Sequence, residues 1–547
     1  MNEKKAGLSL LTSYQAFEQE LTESEELRCG TGENLWEVII QYNNTKEWLY
    51  ETFREISVTP LELPFAILRL RKDQIEDLLD NPFIIYVEKP DLLFFEETIE
   101  EAGYELCVFP ENTTSLKGDG VLLGIIDSGI DIFHPDFIRQ GQTRIRSLLD
   151  EETGIVYTRE QLNEALSLGR RANERSLAFL DLSGHGTHVA GIAGGNTGIA
   201  PNTELIVVKL ASEVIGQPNT AGLMRGIHFC LEQAKSANLP IVLNISYGNT
   251  YGSHSGTSLL EKYIDSCSVI YRCNFVIGSG NEGDAFGQWV GNAPGKHEFA
   301  IGDYEVTVAL QLYYLSYQQI DFSLVTPLKE RIAIPKEEGA YRFPVDSTTY
   351  VYLLVKGASP YSLYSGININ FFSERTDFYL LPGIYSIESS GGTGSYGLWM
   401  SPSNLRNVKT RLLAPSQRTS LTIPGTAGSA ITVGSFNTEN LTVSSFSGRG
   451  YTFVNQQVKP DLVAPGVNIL SASPGGGYTV RTGTSMATPF VSGICALYMQ
   501  QGITDGYDPY LYGDRLKSKL LEDALPLPGQ KNIPNPDMGW GKVCFNP

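Results

Sequence analysis

The chain has 547 residues, which is enough for roughly three or four domains of ordinary size. Hydrophobic residues make up 42% and charged residues 19%, a composition typical of a globular rather than a disordered protein. The 41 basic and 61 acidic residues give a net charge of −20, which argues against nucleic acids and anionic membranes as partners, because both require a basic surface.

The N-terminal residues have a charged start but no sustained apolar region with a cleavage site, so no classical signal peptide is predicted. No run approaches 18 apolar residues, so no membrane span is predicted either. The seven cysteines are scattered and form no CxxC pair, which predicts neither a zinc site nor a disulfide framework. We therefore expect synthesis in the cytoplasm and free thiols in a reducing compartment.

The first predicted domain is small. Residues 1–34 are polar, in part helical, and are treated as an N-terminal extension without an assigned function. Strand patterns at 36–42, 65–70 and 83–88 then alternate with helical patterns at 45–56 and 72–79, which predicts an α+β domain over residues 35–97. The acidic stretch 94–101 predicts an exposed linker.

From residue 120 the pattern becomes α/β. Continuous apolar runs, typical of buried parallel strands, occur at 120–126, 204–210, 241–245 and 275–277. Residues 300–420 instead show alternating, aromatic-rich strands at 304–312, 349–355, 366–372 and 383–387, which favour an antiparallel β-sandwich. The α/β pattern resumes at 430–434. We predict one α/β domain in two parts, 98–299 and 425–547, interrupted by a sandwich at 300–424.

Three short segments contain candidate catalytic side chains. Asp127 ends a buried apolar run, His185 opens an apolar helix between glycines, and Ser485 lies in a Gly/Thr turn before another apolar helix. Each has an ordinary alternative, because a strand-end aspartate or a serine is often a helix cap and a helical histidine is often a packing residue. Together they supply what amide hydrolysis needs: a nucleophile, a base and an orienting carboxylate.

This set, in the order Asp, His, Ser, resembles the subtilisin-like serine proteases. The resemblance implies a parallel sheet flanked by helices, with Asp127, His185 and Ser485 as catalytic triad. Asn281, in the segment 276–283, matches the family's oxyanion asparagine and is expected to act with the backbone N–H of Ser485. The segments 444–448 and 459–466 match the family as well. The implied substrate-binding residues, which form the two walls of the S1 pocket, are Ser246, Tyr247, Gly248, Gly278, Ser279 and Gly280.

No cofactor or metal is predicted. His188 lies three residues beyond His185, but no carboxylate or cysteine nearby completes a metal site, so a structural role is expected. In secreted relatives a longer loop at 195–201 binds calcium, and its shortness here argues against that site.

The overall arrangement resembles a narrower group, the Csp germination proteases of clostridial spores. Asn281 and Ser485 are 204 residues apart, with a predicted insertion between them that the resemblance implies is a jelly roll. Residues 35–96 resemble a subtilase propeptide whose C-terminal tail threads the active cleft, with self-cleavage expected near 94–102. The implied partners are a protein or peptide substrate and the chain's own propeptide.

The resemblance implies a serine endopeptidase that acts by limited proteolysis of a precursor such as a spore cortex-lytic enzyme, and hence association with spores. Two alternatives stay open at this point. One is a general intracellular degradative subtilisin. The other is a signalling pseudoprotease whose retained propeptide blocks the cleft.

Overall fold

The structure, a computed structural model, describes residues 2–18, 25–32, 35–97, 115–173, 180–210, 217–358, 362–373, 378–453 and 456–546. Three sheets of four or more strands organise these residues: one in the N-terminal domain, one in the α/β domain and one in the insertion. The α/β class, the N-terminal α+β domain and the inserted antiparallel region predicted from the sequence are confirmed.

The N-terminal domain is built on a four-stranded antiparallel sheet. Its strands, in spatial order, are Ser57–Pro60, Phe65–Leu70, Trp36–Tyr42 and Ile84–Glu88. Its helices are Leu8–Glu18, Glu25–Arg28, Lys46–Thr52 and Ile75–Asp80, with 3-10 turns at Glu3–Lys5 and Lys72–Gln74. The strand Ser57–Pro60 was not predicted, because it is a short, half-exposed edge strand that ends in a proline.

The two faces of this sheet pack on different partners. Val38 and Ile40 point into the domain's own core, whereas Ile39 belongs to the core of the α/β domain. This division follows from the two-residue repeat of a strand, which sends successive side chains to opposite faces. Phe65 meets Tyr263 of the α/β domain with ring centroids 5.5 Å apart. The N-terminal domain is therefore docked through an apolar sheet face.

The α/β domain has a nine-stranded sheet whose inner strands are parallel. In spatial order, seven of the strands are Ile155–Thr158, Ile145–Asp150, Glu204–Lys209, Leu122–Asp127, Ile241–Ile245, Cys273–Gly278 and Ile431–Asn437. The strand Ile431–Asn437 also pairs with the remaining two, Thr442–Val443 and Leu462–Pro465. Its principal helices are Arg159–Leu168, His185–Gly194, Thr220–Ala237, Leu259–Ile270, Thr484–Met499 and Gly513–Asp523. The helices beginning at His185 and Thr484 share one face of the sheet, and those beginning at Thr220 and Leu259 cover the other.

The insertion forms a second nine-stranded sheet, which is antiparallel and folds around its own apolar core. Its strands are Gln288–Ile301, Thr307–Leu315, Asp321–Val325, Arg331–Ala333, Gly339–Pro344, Thr349–Lys356, Tyr364–Ser373, Gly383–Met400 and Arg411–Leu412. The long strand Gly383–Met400 pairs with Asp321–Val325 near one end and with Thr307–Leu315 near the other, so it passes through both halves of the sheet.

The inserted sheet begins at Gln288 and ends at Leu412, whereas the sequence patterns suggested bounds of 300 and 424. The first strand was not predicted because it is mixed in polarity and contains glycines and a proline. It is held instead by thirteen residue pairs with Gly383–Met400. Pairing between distant segments therefore outweighs the weak local preference for a strand.

The N-terminal helix Leu8–Glu18 lies between the N-terminal sheet and the inserted sheet. Leu10 and Leu11 are buried in the same cluster as Leu354 of the insertion, and the Asn368 amide donates to the Thr12 hydroxyl at 2.7 Å. This segment, left without a function in the sequence analysis, thus joins two domains. Among the described residues, no helix combines the length and apolar character needed to cross a membrane.

Candidate active site

Asp127 and His185 are brought together by the parallel sheet. Asp127 ends the central strand Leu122–Asp127, and His185 is the first residue of the helix His185–Gly194. The two side chains are fully buried, and Nδ1 of the imidazole lies 2.7 Å from Oδ1 of the carboxylate. The backbone N–H of Ser128 donates to the same oxygen at 2.8 Å. This pairing fixes the imidazole so that Nε2 is the atom available to a substrate or nucleophile.

Ser485 lies in the first turn of the helix Thr484–Met499 and is fully buried. Its hydroxyl donates to the backbone carbonyl of Ser246 at 3.2 Å. Nε2 of His185 is buried and has no hydrogen-bond partner among the described residues. The seryl hydroxyl is therefore bonded to a carbonyl rather than to the imidazole in this structure, while its backbone N–H faces the cleft.

One backbone carbonyl oxygen lies beside two hydrogen-bond donors and is bonded to one of them. The backbone N–H of Ser485 donates to the carbonyl oxygen of Glu96 at 3.0 Å. Oδ1 of Asn281 accepts from the backbone and the hydroxyl of Thr484 at 3.1 and 3.0 Å, which leaves its Nδ2 buried and without a partner among the described residues. A Cβ placed on Gly483 would lie 2.3 Å from the Glu96 oxygen and 3.1 Å from this Nδ2. The space beside the carbonyl thus has the form of an oxyanion hole.

The carbonyl belongs to a segment that enters the cleft from the N-terminal domain, residues 93–97, which we call the tail. Phe94–Phe95 forms an antiparallel pair with Tyr247–Gly248. The backbone N–H of Glu96 donates to the carbonyl oxygen of Ser246 at 3.4 Å. The centroids of the Phe95 and His185 rings lie 4.3 Å apart. The prediction of an exposed linker from residue 94 is wrong for the described part, because these backbone groups are paired and Glu96 is buried. Residues 98–101 lie outside the described residues.

The Glu96 side chain occupies a pocket whose walls are glycines. A Cβ on Gly278 would lie 1.7 Å from Oε2 of Glu96, and a Cβ on Gly248 would lie 2.3 Å from Oε1. The Thr422 hydroxyl donates to Oε1 at 2.5 Å. Burial raises the pKa of the Glu96 carboxyl to about 7, although hydrogen bonds from Thr422, Thr484 and Gly280 and the charge of His185 act in the opposite direction.

The structure therefore brings all of the predicted site residues to one cleft. Ser246, Tyr247 and Gly248 meet the backbone of the tail, and Gly278 and Gly280 surround the Glu96 side chain with Gly248. Ser279 is buried on the same wall and accepts the backbone N–H of Thr422 through its carbonyl.

Sequence reasoning missed four residues of this site: Glu96, Thr422, Thr484 and Arg481, whose guanidinium pairs with Glu97 at 2.6 Å. Thr484 was visible as part of the motif around Ser485, and Glu96 follows the apolar run of residues 92–95. Thr422 and Arg481 have no local sequence signal, because only the fold brings them to the cleft.

His188 is a structural crosslink, in agreement with the role expected for it. Its Nε2 lies 3.0 and 3.1 Å from the carbonyl oxygens of Ile469 and Thr479. Burial lowers the pKa of this imidazole to about 3, so it stays neutral and its one N–H is shared between the two carbonyl oxygens. Within the described residues, no three His, Cys, Asp or Glu side chains gather as ligands of a metal would.

The comparison with protein families identifies two parts of the chain. The model of the subtilase family matches residues 118–336 and 404–541, together more than half of the chain, and this span includes Asp127, His185, Asn281 and Ser485. The model of the Csp protease B prodomain matches residues 2–91. The prodomain thus includes the first 34 residues, which the sequence analysis treated separately.

Both solved structures and curated proteins are similar to this chain. The Clostridium perfringens CspB protease has a TM-score of 0.74 and 34% identity, covering 79% of this chain and 93% of that chain. The minor extracellular protease Vpr of Bacillus subtilis is 25% identical over 75% of this chain and 48% of its own length. Subtilisin-like protease 5 of Arthroderma benhamiae is 29% identical over 33% of this chain and 42% of its own length. The matched part thus spans less than half of these curated relatives. On the family match, the chain belongs to the subtilase family.

Proposed function

We propose that the chain is a serine endopeptidase in which Ser485 is the nucleophile, His185 the general base and acid, and Asp127 the carboxylate that orients the imidazole. One observation supports this most directly. A peptide carbonyl of the tail accepts the backbone N–H of Ser485 at 3.0 Å, beside the unpartnered amide of Asn281. A substrate carbonyl held in this way has two donors ready for the negative charge that develops on its oxygen.

The reaction begins when the Ser485 hydroxyl turns from the Ser246 carbonyl toward Nε2 of His185. Ser485 Oγ attacks the carbonyl carbon while Nε2 takes the hydroxyl proton, and the oxyanion is stabilised by Ser485 N–H and Asn281 Nδ2. His185 then gives the proton to the leaving amine, and an acyl-enzyme remains. Water attacks this ester through the same base and regenerates the hydroxyl.

The first substrate of this site is the chain's own tail, which enters the cleft as an added antiparallel strand. Self-cleavage is tested by expressing the wild-type chain and Ser485→Ala. We expect two fragments from the wild type and only the full-length chain from the variant. Identical fragmentation of both would contradict the proposal, because the cut would then come from another protease.

We further propose that the later substrate is a protein precursor, such as a spore cortex-lytic enzyme, activated by limited cleavage. The match to the Csp protease B prodomain supports this narrower role. The test compares a purified cortex-lytic precursor with unfolded casein as substrates. A single cut in the precursor and little casein digestion are expected, whereas broad casein digestion would instead favour a degradative enzyme.

A second candidate is a tail-blocked protein that acts by binding alone. The buried tail and the unpartnered Nε2 of His185 favour this possibility. A fluorophosphonate probe distinguishes the two, because it labels a serine only when the base and oxyanion donors activate it. Labelling of the wild type but not of Ser485→Ala supports the endopeptidase.

A further inference from the structure

In the tail, two acidic side chains flank one peptide bond. Each of them contacts a different part of the cleft. Glu96 enters the glycine-walled pocket, and Glu97 forms an ion pair with Arg481, whose Nη1 lies 2.6 Å from Oε2. The Arg481 and Glu97 side chains are only 19% and 22% exposed. The carbonyl of the bond between the two glutamates is the one that Ser485 N–H contacts.

We propose that the cleft cuts between two acidic residues, that the self-processing bond is Glu96–Glu97, and that Thr422 and Arg481 determine specificity for the side chains before and after the cut. This inference rests on the proposed endopeptidase function and defines its substrate class. In the protein substrate, the residue before the cut is a glutamate, and an acidic residue follows the cut.

The pocket for Glu96 suits a carboxyl group. Thr422 and the backbone N–H of Gly280 donate to the carboxyl. The Thr484 hydroxyl shares its hydrogen between Asn281 Oδ1 at 3.0 Å and Glu96 Oε2 at 3.5 Å. The pocket thus offers hydrogen-bond donors to both oxygens of the side chain, the pattern that a carboxyl group satisfies. A lysine ammonium has three donors and no acceptor and would leave the hydroxyl hydrogen of Thr422 and the backbone N–H of Gly280 unpaired.

Arg481 is held in place for the residue after the cut. Its Nη2 donates to the Ser183 carbonyl at 2.6 Å, two residues before His185. It also ends the strand Gly477–Arg481, four residues before Ser485. The guanidinium is therefore fixed between the two catalytic segments. A carboxylate after the cut gains a charge-assisted hydrogen bond there, whereas a basic residue meets repulsion.

The proposed step is a hydrolysis that consumes one water. The bond between the Glu96 carbonyl carbon and the Glu97 nitrogen breaks, and Ser485 Oγ bonds to that carbon. The serine proton passes through His185 to the Glu97 nitrogen, which leaves as a new amine. Water then supplies the hydroxyl that completes the Glu96 carboxyl group and returns a proton to Ser485.

The cut is located by intact-mass measurement and N-terminal sequencing of the purified wild-type protein, with Ser485→Ala as the uncut control. We expect one fragment that ends at Glu96 and another that begins at Glu97. A cut at any other bond, in a chain that labels with fluorophosphonate, overturns the inference and leaves the proposed function intact. A chain that is neither cut nor labelled overturns both.

A charge-exchange experiment tests whether Arg481 recognises the residue after the cut. Arg481→Glu and Glu97→Lys should each slow self-processing about tenfold, by loss of one charge-assisted contact and gain of repulsion. The double variant restores the pair with reversed charges and should return the rate to within about threefold of the wild type. If Arg481 is merely structural, the double variant stays as slow as Arg481→Glu, and this result would refute its role.

A matched pair of variants tests Thr422. Thr422→Val keeps the volume but removes the donor, and should slow the cut about tenfold because the carboxyl oxygen loses its hydrogen bond. Thr422→Ser keeps the hydroxyl and should stay close to the wild type. Equal rates for the valine and serine variants would overturn the assignment.

Discussion

The prodomain contacts the rest of the chain through two regions that differ in kind. The tail, residues 93–97, is a single extended segment held by backbone hydrogen bonds, one buried carboxyl group and one ion pair. The folded body, the described residues from 2 to 92, is held by an apolar sheet face and by the helix Leu8–Glu18 against the inserted sheet. A cut within the tail therefore removes none of the contacts of the body, so cutting and release are separate events.

Buried polar groups strengthen the contact of the body. Arg225 of the α/β domain pairs with Glu37 of the prodomain at 2.8 Å and with Glu151 of its own domain at 2.5 Å. Glu88 accepts the backbone N–H of Leu259 at 3.0 Å, at the start of the helix Leu259–Ile270. Five predictions separate the two regions, beginning with the largest expected effect on cutting of the tail.

Asp127→Asn should have the largest effect on the cut. An amide keeps the shape of the carboxylate but cannot hold the imidazole in the same tautomer, and the loss in rate is expected to be about 10⁴. The rate of self-processing after refolding measures it. Asp303→Asn, at an exposed aspartate paired with Lys409 in the insertion, is the control and should process normally. A similar rate for both variants would refute the role of Asp127.

Asn281→Asp tests the oxyanion hole without a change in size. The carboxylate still accepts from Thr484, but it replaces the Nδ2 donor with a negatively charged oxygen. Self-processing should slow by about 10²–10³. Circular dichroism and thermal unfolding should show that the variant is folded. If a folded Asn281→Asp chain is cut at the wild-type rate, Asn281 is not an oxyanion donor.

The fold was predictable where local pattern and final environment agree. The strand Ile241–Ile245 was predicted with its observed bounds, because a continuous apolar run suits a strand buried on both faces. The second half of Gly383–Met400 was missed, because its glycines disfavour a strand and only pairing with Gln288–Ile301 and Thr307–Leu315 holds it there. Such pairing joins segments about a hundred residues apart and leaves no local sequence signal.

The residues of the site also differ in whether local sequence predicts them. Asp127, His185, Asn281 and Ser485 lie in short motifs, and so they could be identified one segment at a time. Glu96 could not, because an acidic stretch normally predicts solvent exposure and a buried carboxyl group requires partners from elsewhere in the fold. Those partners include Thr422, which is 326 residues away.

Gly278→Ala tests the pocket that holds the tail. The new methyl group would occupy the space of the Glu96 carboxyl, and overpacking of this kind slows the cut about 10–100-fold if it excludes the side chain from the pocket. A second change, Glu96→Ser, shortens the tail side chain and should recover part of the loss. The self-processing rate of the double variant measures this recovery. If the rate does not recover, Gly278→Ala slows the cut by disturbing the fold and not by filling the pocket.

The pH dependence of tail cleavage tests the environment of the Glu96 carboxyl group. The pocket raises the pKa of this carboxyl from 4.5 to about 7. Binding of the tail in the pocket is thus most favourable below pH 4.5, and it becomes less favourable as the pH rises through about 7. Glu96→Gln does not titrate, so the ratio of wild-type to variant processing rates cancels the titration of the catalytic groups. We expect this ratio to follow the protonated fraction of the bound carboxyl group, which falls about tenfold between pH 5 and 8. A constant ratio would contradict a buried, protonated Glu96.

Arg225→Ala addresses the body and should have the smallest effect on the cut. It leaves Glu151 without its cation and Glu37 with Arg69 alone, and a largely buried carboxylate that loses its partner is destabilising. The processed prodomain should then separate from the α/β domain in size-exclusion chromatography, while Arg225→Lys, which keeps the charge, should retain more of it. Processing itself should slow by less than about threefold, because none of these groups touches the tail. If Arg225→Ala instead abolishes the cut and retains the prodomain, the tail and the body are not independent.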